Sequence, residues 1–259
     1  MTSSPHVVLL GARKEPNQPS RSGFCQKLET FLKYSKISYE HRDTYPFKGP
    51  KGKVPYAEIT HDGQTVTIPD SHFIIQYLVE KGLVKDPDEL ASLTTAQIAE
   101  SRAFQAYVEE VLYYAIVYDR WCIDENYVVV EQETFGRLSW PLRPLMSWFM
   151  WRRVTNLLYS AGMGRHSPEE VHRLQREAFE ALETKYAAHK YFHGEIISRI
   201  DLTVYGFLAN MVMTGGSPYF TGLICGSTVL RPFVEEMTST LFPEYEDLLK
   251  KIRSSAPSA

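Results

Sequence analysis

Cysteine is scarce in this chain: 259 residues contain three, Cys25, Cys122 and Cys225, far apart and odd in number. That fits a reducing compartment better than a disulfide framework, so a cytoplasmic location is expected. Neither sign of charge dominates, because 28 basic against 31 acidic residues leave a formal net charge of -3. Without a basic field, no nucleic acid is expected as a partner, and a small ligand or a protein is the default. No Cys/His cluster has metal-ligand spacing and no Gly-rich phosphate loop occurs, so no metal site is expected. Fixed-period repeats, low-complexity tracts and long charge blocks are missing too.

Long hydrophobic runs are also lacking. The nearest, Leu138 to Tyr159, is interrupted by Arg143, Arg152 and Arg153 and by Pro141 and Pro144, so no transmembrane segment is expected. It reads as a buried helix pair with charged ends, a surface-lying amphipathic helix being the alternative. The opening MTSSPHVVLLGAR has no basic region before its short apolar run, and reads as a first strand, not a secretory leader.

What is present suffices for a globular core, with 44 % hydrophobic residues. HVVLL, a helical run from Phe24 to Ser35 and ISYEHR read as β-α-β. YAEIT and TVTI flank Asp62-Gly63, whose two positions tolerate positive φ, and predict an antiparallel hairpin. A helix follows from Ser71 to Lys81 beneath an Asp70 or Ser71 cap. Beyond a charged segment around Pro87, strand signals give way to long helices: Thr94 to Trp121, one opened by Ser167-Pro168-Glu169-Glu170, and Ser198 to Met213 with Ser198 and Asp201 in capping-box spacing. Three regions result: residues 1–83 alternating strand and helix, 84–93 a linker, and 94–259 all helical.

Three small motifs carry candidate chemistry. Val54-Pro55 precedes a strand, where a cis proline exposes the backbone of Val54 to a peptide-like ligand; an edge-strand proline is the plainer reading. Asp70-Ser71 stands at a helix start, where free N–H groups and the positive dipole end receive a carboxylate, alongside ordinary capping. Ser22 and Cys25 stand at the start of the first helix, where a hydroxyl can donate to a thiolate. Cys25 has the spacing of the second cysteine of a C-x-x-C pair, but Ser22 replaces the first, and a lone helix cysteine is usually packing. His166 reads as a surface or capping residue.

The order of elements, Val54-Pro55, Asp70-Ser71 and the Ser198/Asp201 box together resemble the glutathione transferase superfamily. SGFCQKLETFLKYSKISYE, KGKVPY and SAGMGRHSPEEVHRL look like its failed-axon-connections and metaxin-like branch. The resemblance implies an α/β thioredoxin-like N-terminal domain, an all-α C-terminal domain and glutathione as co-substrate or cofactor. It implies that Val54 and Pro55 meet the cysteinyl backbone, that Asp70 and Ser71 take the γ-glutamyl end, and that Lys53 approaches the glycyl carboxylate. Arg21 is a further carboxylate candidate, equally well a solvated loop cation. With no tyrosine before Tyr34, Ser22 takes the thiol-activating position.

The expected activity is glutathione transfer to a small apolar electrophile, or double-bond isomerisation by the same thiolate. The alternative is a non-catalytic interaction module; a thiol oxidoreductase built on Cys25 is weaker, because Ser22 cannot close its disulfide. Among Trp140, Trp148, Phe149 and Trp151, core packing is the expected role for most, with Trp140 and Phe149 as candidates to line a pocket for the apolar substrate. A homodimer is expected.

Overall fold

The computed structural model describes residues 5–254. Strand β1 (His6–Gly11), helix α1 (Gly23–Tyr34) and β2 (Tyr39–Asp43) form the expected β-α-β unit, with β1 and β2 parallel. β3 (Tyr56–His61) runs antiparallel to β1, β4 (Gln64–Pro69) antiparallel to β3, and the sheet order is β2-β1-β3-β4. Between β3 and β4, Asp62 at φ 50° and Gly63 at φ 75° make the two-residue turn, a backbone that glycine adopts freely and aspartate tolerates. Helix α2 (Ser71–Glu80) closes this half, capped by Asp70.

The segment expected to be a plain linker contains a short helix, α3 (Pro87–Leu90). Its cap Asp86 receives a hydrogen bond from Arg199 Nε at 2.6 Å, and Asp88 accepts the Arg199 N–H at 2.8 Å. It is therefore tied to the helical half.

Instead of one uniform helix from Thr94 to Trp121, the chain forms α4 (Thr95–Ala106), a π-helical segment (Tyr107–Leu112) and α5 (Tyr113–Cys122). There follow α6 (Asp124–Phe135), α7 (Leu142–Ser160), α8 (Pro168–Ala188), α9 (Arg199–Met213), α10 (Pro218–Gly226), α11 (Leu230–Leu241) and α12 (Glu246–Ser254).

The apolar α9 is the axis of the helical half, buried from Ile200 through Val212. At its start the Asp201 carboxylate accepts the Ser198 N–H at 2.8 Å, the Ser198 hydroxyl at 2.6 Å, the Phe192 N–H at 2.8 Å and the Tyr186 hydroxyl at 3.0 Å. Four donors make that buried carboxylate tolerable. A single apolar core joins Val7, Leu28, Phe31 and Ile74 of the N-terminal half to Val108, Tyr205, Phe207, Val234 and Ile252 of the helical half. Where α1 crosses α9, a Cβ on Gly206 would stand 2.6 Å from the Lys27 nitrogen; only glycine permits this approach.

The stretch from Leu138 to Tyr159 departs from expectation. It is not a buried pair but one 19-residue helix, α7, in which only Ser147 and Leu158 are buried. No helix among the described residues is long and apolar enough to cross a membrane.

Candidate functional site

Sheet topology gathers the motifs. β1 runs towards Gly11, and the register pairs Leu10 with Tyr56 and Tyr56 with Pro69. The loop into α1, the start of β3 and the loop into α2 therefore emerge at one end of the sheet, carrying Ser22, Val54-Pro55 and Asp70-Ser71. The Val54–Pro55 bond is cis, and the Asp70 N–H donates to the Pro55 carbonyl at 3.0 Å. Lys53 is exposed beside them.

Asp70 has φ 80° and ψ 128°, a conformation costing on the order of 1–3 kcal/mol for a residue with a Cβ. Its own N–H bond to Pro55 and its carboxylate, which accepts the His72 N–H at 2.9 Å, hold it there. Ser71 is buried behind it at the first position of α2.

Ser22 is half-buried and caps α1, its hydroxyl oxygen accepting the Cys25 N–H at 3.4 Å. The loop before it is anchored, not free: the Ser20 carbonyl accepts from Asn210 Nδ2 at 2.7 Å, and Ser20 N–H donates to Gln26 Oε1 at 2.7 Å. Arg21 donates to the Glu133 carbonyl at the end of α6, so its guanidinium is engaged with the helical half. Cys25 is fully buried. Burial pushes its thiol up to about 11, more than the nearby Ser22 hydroxyl offsets. A protonated, enclosed thiol is not a nucleophile.

Residues that sequence reasoning passed over complete this end of the molecule. Lys27, on α1, is 3 % exposed and pairs with Glu109 Oε1 at 2.5 Å. Glu109 lies on the π-helical segment and also accepts from Gln105 at 3.0 Å; Gln105 accepts from Arg102 at 2.6 Å, and Arg102 contacts His72 at 3.3 Å. Burial lowers the Lys27 pKa, opposed by the charges of Glu109 and Asp70. The cluster thus surrounds the Asp70-Ser71 corner with both signs of charge. A lysine in QKLE and a glutamate in YVEEVL read as solvent-facing by residue type, and tertiary packing, α9 against α1 included, encloses them.

Trp140 is 84 % and Phe149 52 % exposed, so neither the expected core packing nor an enclosed pocket describes them. Phe24 packs edge-on against Tyr113 and Phe207 instead, so the aromatic wall beside α1 comes from α5 and α9. His166 is exposed just before α8. Among the described residues no three His, Cys, Asp or Glu side chains stand together as a metal site.

A cavity of about 850 Å³ opens elsewhere, between β2 and the C-terminal segment, lined by Lys14, Glu29, His41, Asp43, Glu244 and Tyr245 among others. Glu29 is buried and receives Lys14 Nζ at 2.7 Å. Burial alone would raise its pKa, but His41 and Lys14 outweigh that and hold it below the usual carboxylate range. Burial alone would lower the pKa of His41, which Glu29 reverses to a net rise. The His41 nitrogens lie 3.5 Å from Glu29 and 3.3 Å from Asp43, within ion-pair range but without hydrogen-bond alignment.

Residues 23–126 match the glutathione S-transferase N-terminal domain family. Metaxin-1 of Sus scrofa is 28 % identical over 177 residues, covering 65 % of this chain and 53 % of that protein. Failed axon connections of Drosophila melanogaster is 26 % identical over 274 residues, covering 96 % and 61 %. The match spans about half the length of the Sus scrofa and Macaca fascicularis metaxin-1 proteins. Glutathione transferase F7 of Populus trichocarpa superposes with a TM-score of 0.52 at 15 % identity, covering 95 % of this chain and 99 % of that one; at that identity the likeness is one of fold.

Proposed function

We propose that this chain, a metaxin-like member of the glutathione transferase superfamily, binds glutathione at the shared end of its sheet and holds the thiol as a thiolate beside Ser22, ready to attack a small apolar electrophile. The observation that supports this most is the convergence of Ser22, Val54-Pro55 and Asp70-Ser71 at one end of the sheet, with Asp70 kept in a costly backbone conformation. Such strain clusters at ligand sites.

In this reading Asp70 takes the ligand's ammonium group, while Ser71 and the α2 N-terminus take the adjoining carboxylate. Val54 offers its main chain to the cysteinyl unit, and Lys53 approaches the glycyl carboxylate. Ser22 need not ionise. Its oxygen accepts the Cys25 N–H, and its O–H donates to the ligand's sulfur, adding to the positive end of α1 to favour the thiolate. Carbon–sulfur bond formation with loss of a leaving group gives a conjugate; addition to a conjugated double bond, rotation and elimination gives an isomer.

A non-catalytic interaction role on the same fold has one observation in its favour, the exposed apolar face of α7. Titration calorimetry with glutathione decides. Binding at millimolar ligand that Asp70→Ala weakens supports the proposal; no heat at that concentration with folded protein overturns it. Pairing as a homodimer belongs to the same proposal and is read by light scattering.

A further inference from the structure

We infer that α7 lies flat on an anionic membrane surface. Its inward stripe is Arg143, Ser147, Met150, Val154 and Leu158, all buried or half-buried, and spaced to face the protein on a 3.6-residue helix. The opposite face carries Leu142, Leu145, Trp148 and Phe149, exposed by 52, 61, 55 and 52 % respectively, and Trp140 stands just before it. Bulk apolar side chains facing solvent along successive turns mark a binding surface, not packing.

Charge identifies the occupant. α7 contains three arginines and no acidic residue. Arg143 is spent on Glu131, at 2.8 Å from its Nε. Arg152 and Arg153, at the far end of the apolar face, are exposed and form no ion pair among the described residues; Arg152 lies 5.9 Å from the Trp148 ring centre. Tryptophan, leucine and phenylalanine beside unpaired arginines match the interfacial zone of a bilayer, where the rings sit at headgroup level and the guanidinium groups meet lipid phosphates and carboxylates. A second copy of this chain fits less well. It would bring the same cations and no helix-borne acid to meet them, whereas an isologous contact must be self-complementary. A helix of this length lies along the surface for roughly 28 Å and does not enter the hydrocarbon.

The test is co-sedimentation of the full chain with phosphatidylcholine vesicles, with and without phosphatidylserine, followed also by tryptophan emission. Trp140, Trp148 and Trp151 lie on or beside α7 and only Trp121 is elsewhere, so docking shifts the emission to the blue. The expected result is retention on the phosphatidylserine vesicles, weakened by high salt and by roughly tenfold or more in Arg152→Glu/Arg153→Glu. Trp148→Ser/Phe149→Ser loses retention and the emission shift while circular dichroism stays unchanged. The inference is overturned by absence of retention on either vesicle, by equal retention on phosphatidylcholine alone, or by dimers in light scattering that Trp148→Ser/Phe149→Ser converts to monomers. None of these readings requires glutathione, so a failure here is separable from a failure of the proposed thiol site.

Discussion

The Lys27 ammonium lies 2.5 Å from the Glu109 carboxylate, with Lys27 almost fully enclosed beneath a π-helical turn. Two charges withdrawn from water tolerate the loss only as a pair. Glu109→Ala, which strands the lysine, should cost about 3–5 kcal/mol in urea unfolding. Lys27→Met/Glu109→Leu should recover most of that, because an apolar pair of similar volume carries no desolvation cost. Equal losses in single and double variants would show that volume, not charge, sets the stability here.

Ser22 and Cys25 share one helical turn but should behave oppositely. Ser22→Gly should lower turnover of glutathione with an aryl halide by roughly 10-fold or more, while a glycine cap costs α1 only a few tenths of a kcal/mol. Cys25→Ala should leave most activity and reduce stability. Cys25 should also resist iodoacetamide in the folded protein and react once it is unfolded, because its thiol is both enclosed and raised to about 11. Loss of turnover in folded Cys25→Ala, with Ser22→Gly silent, would revive the thiol oxidoreductase reading.

His41 should give the protein a stability that depends on pH. Its folded pKa is raised, because Glu29 more than offsets the effect of burial. A raised basic group contributes fully below its unfolded value of about 6.5, and that contribution fades as pH climbs through the folded value. Thermal melts of the native chain and His41→Gln should therefore differ most on the acid side of 6.5 and converge as pH rises. The comparison should stay above the usual carboxylate range, since Glu29, with a lowered pKa, gives up its own contribution in acid. A difference that instead grew with pH would mean His41 is neutral in the fold.

Gly206→Ala should destabilise by about 1–3 kcal/mol, the usual cost of overpacking, since its methyl would meet the Lys27 backbone at 2.6 and 2.7 Å. Denaturant midpoints check this. A neutral effect would mean that α1 and α9 can part without loss of packing.

The elements legible in the sequence were those whose signals are local. Alternation, the Asp62-Gly63 turn and the Ser167 and Ser198 caps marked strands and helix starts that the structure contains. The π-helical turn was not legible, because nothing in YVEEVL distinguishes it from α-helix. α6, α10, α11 and α12 went unread; α10 and α11 are broken by Gly222 and Pro232, and α12 is only nine residues long. Burial failed in both directions for one reason: residue type gives an average and packing gives the instance. Lys27 is inside and Trp140 outside. At the candidate site the motifs were readable one by one, while the Lys27–Glu109 and Arg102–His72 contacts join segments far apart in the chain.

The α1–α9 crossing also constrains how the molecule comes into being. α1 leaves the ribosome long before α9 is made, and the face it turns to Gly206 and Phe207 has no cover until α9 arrives. Such distant partners close late and at high entropic cost. The N-terminal half therefore cannot complete its core during synthesis, and a nascent chain halted before α9 should be sensitive to protease and bound by chaperones.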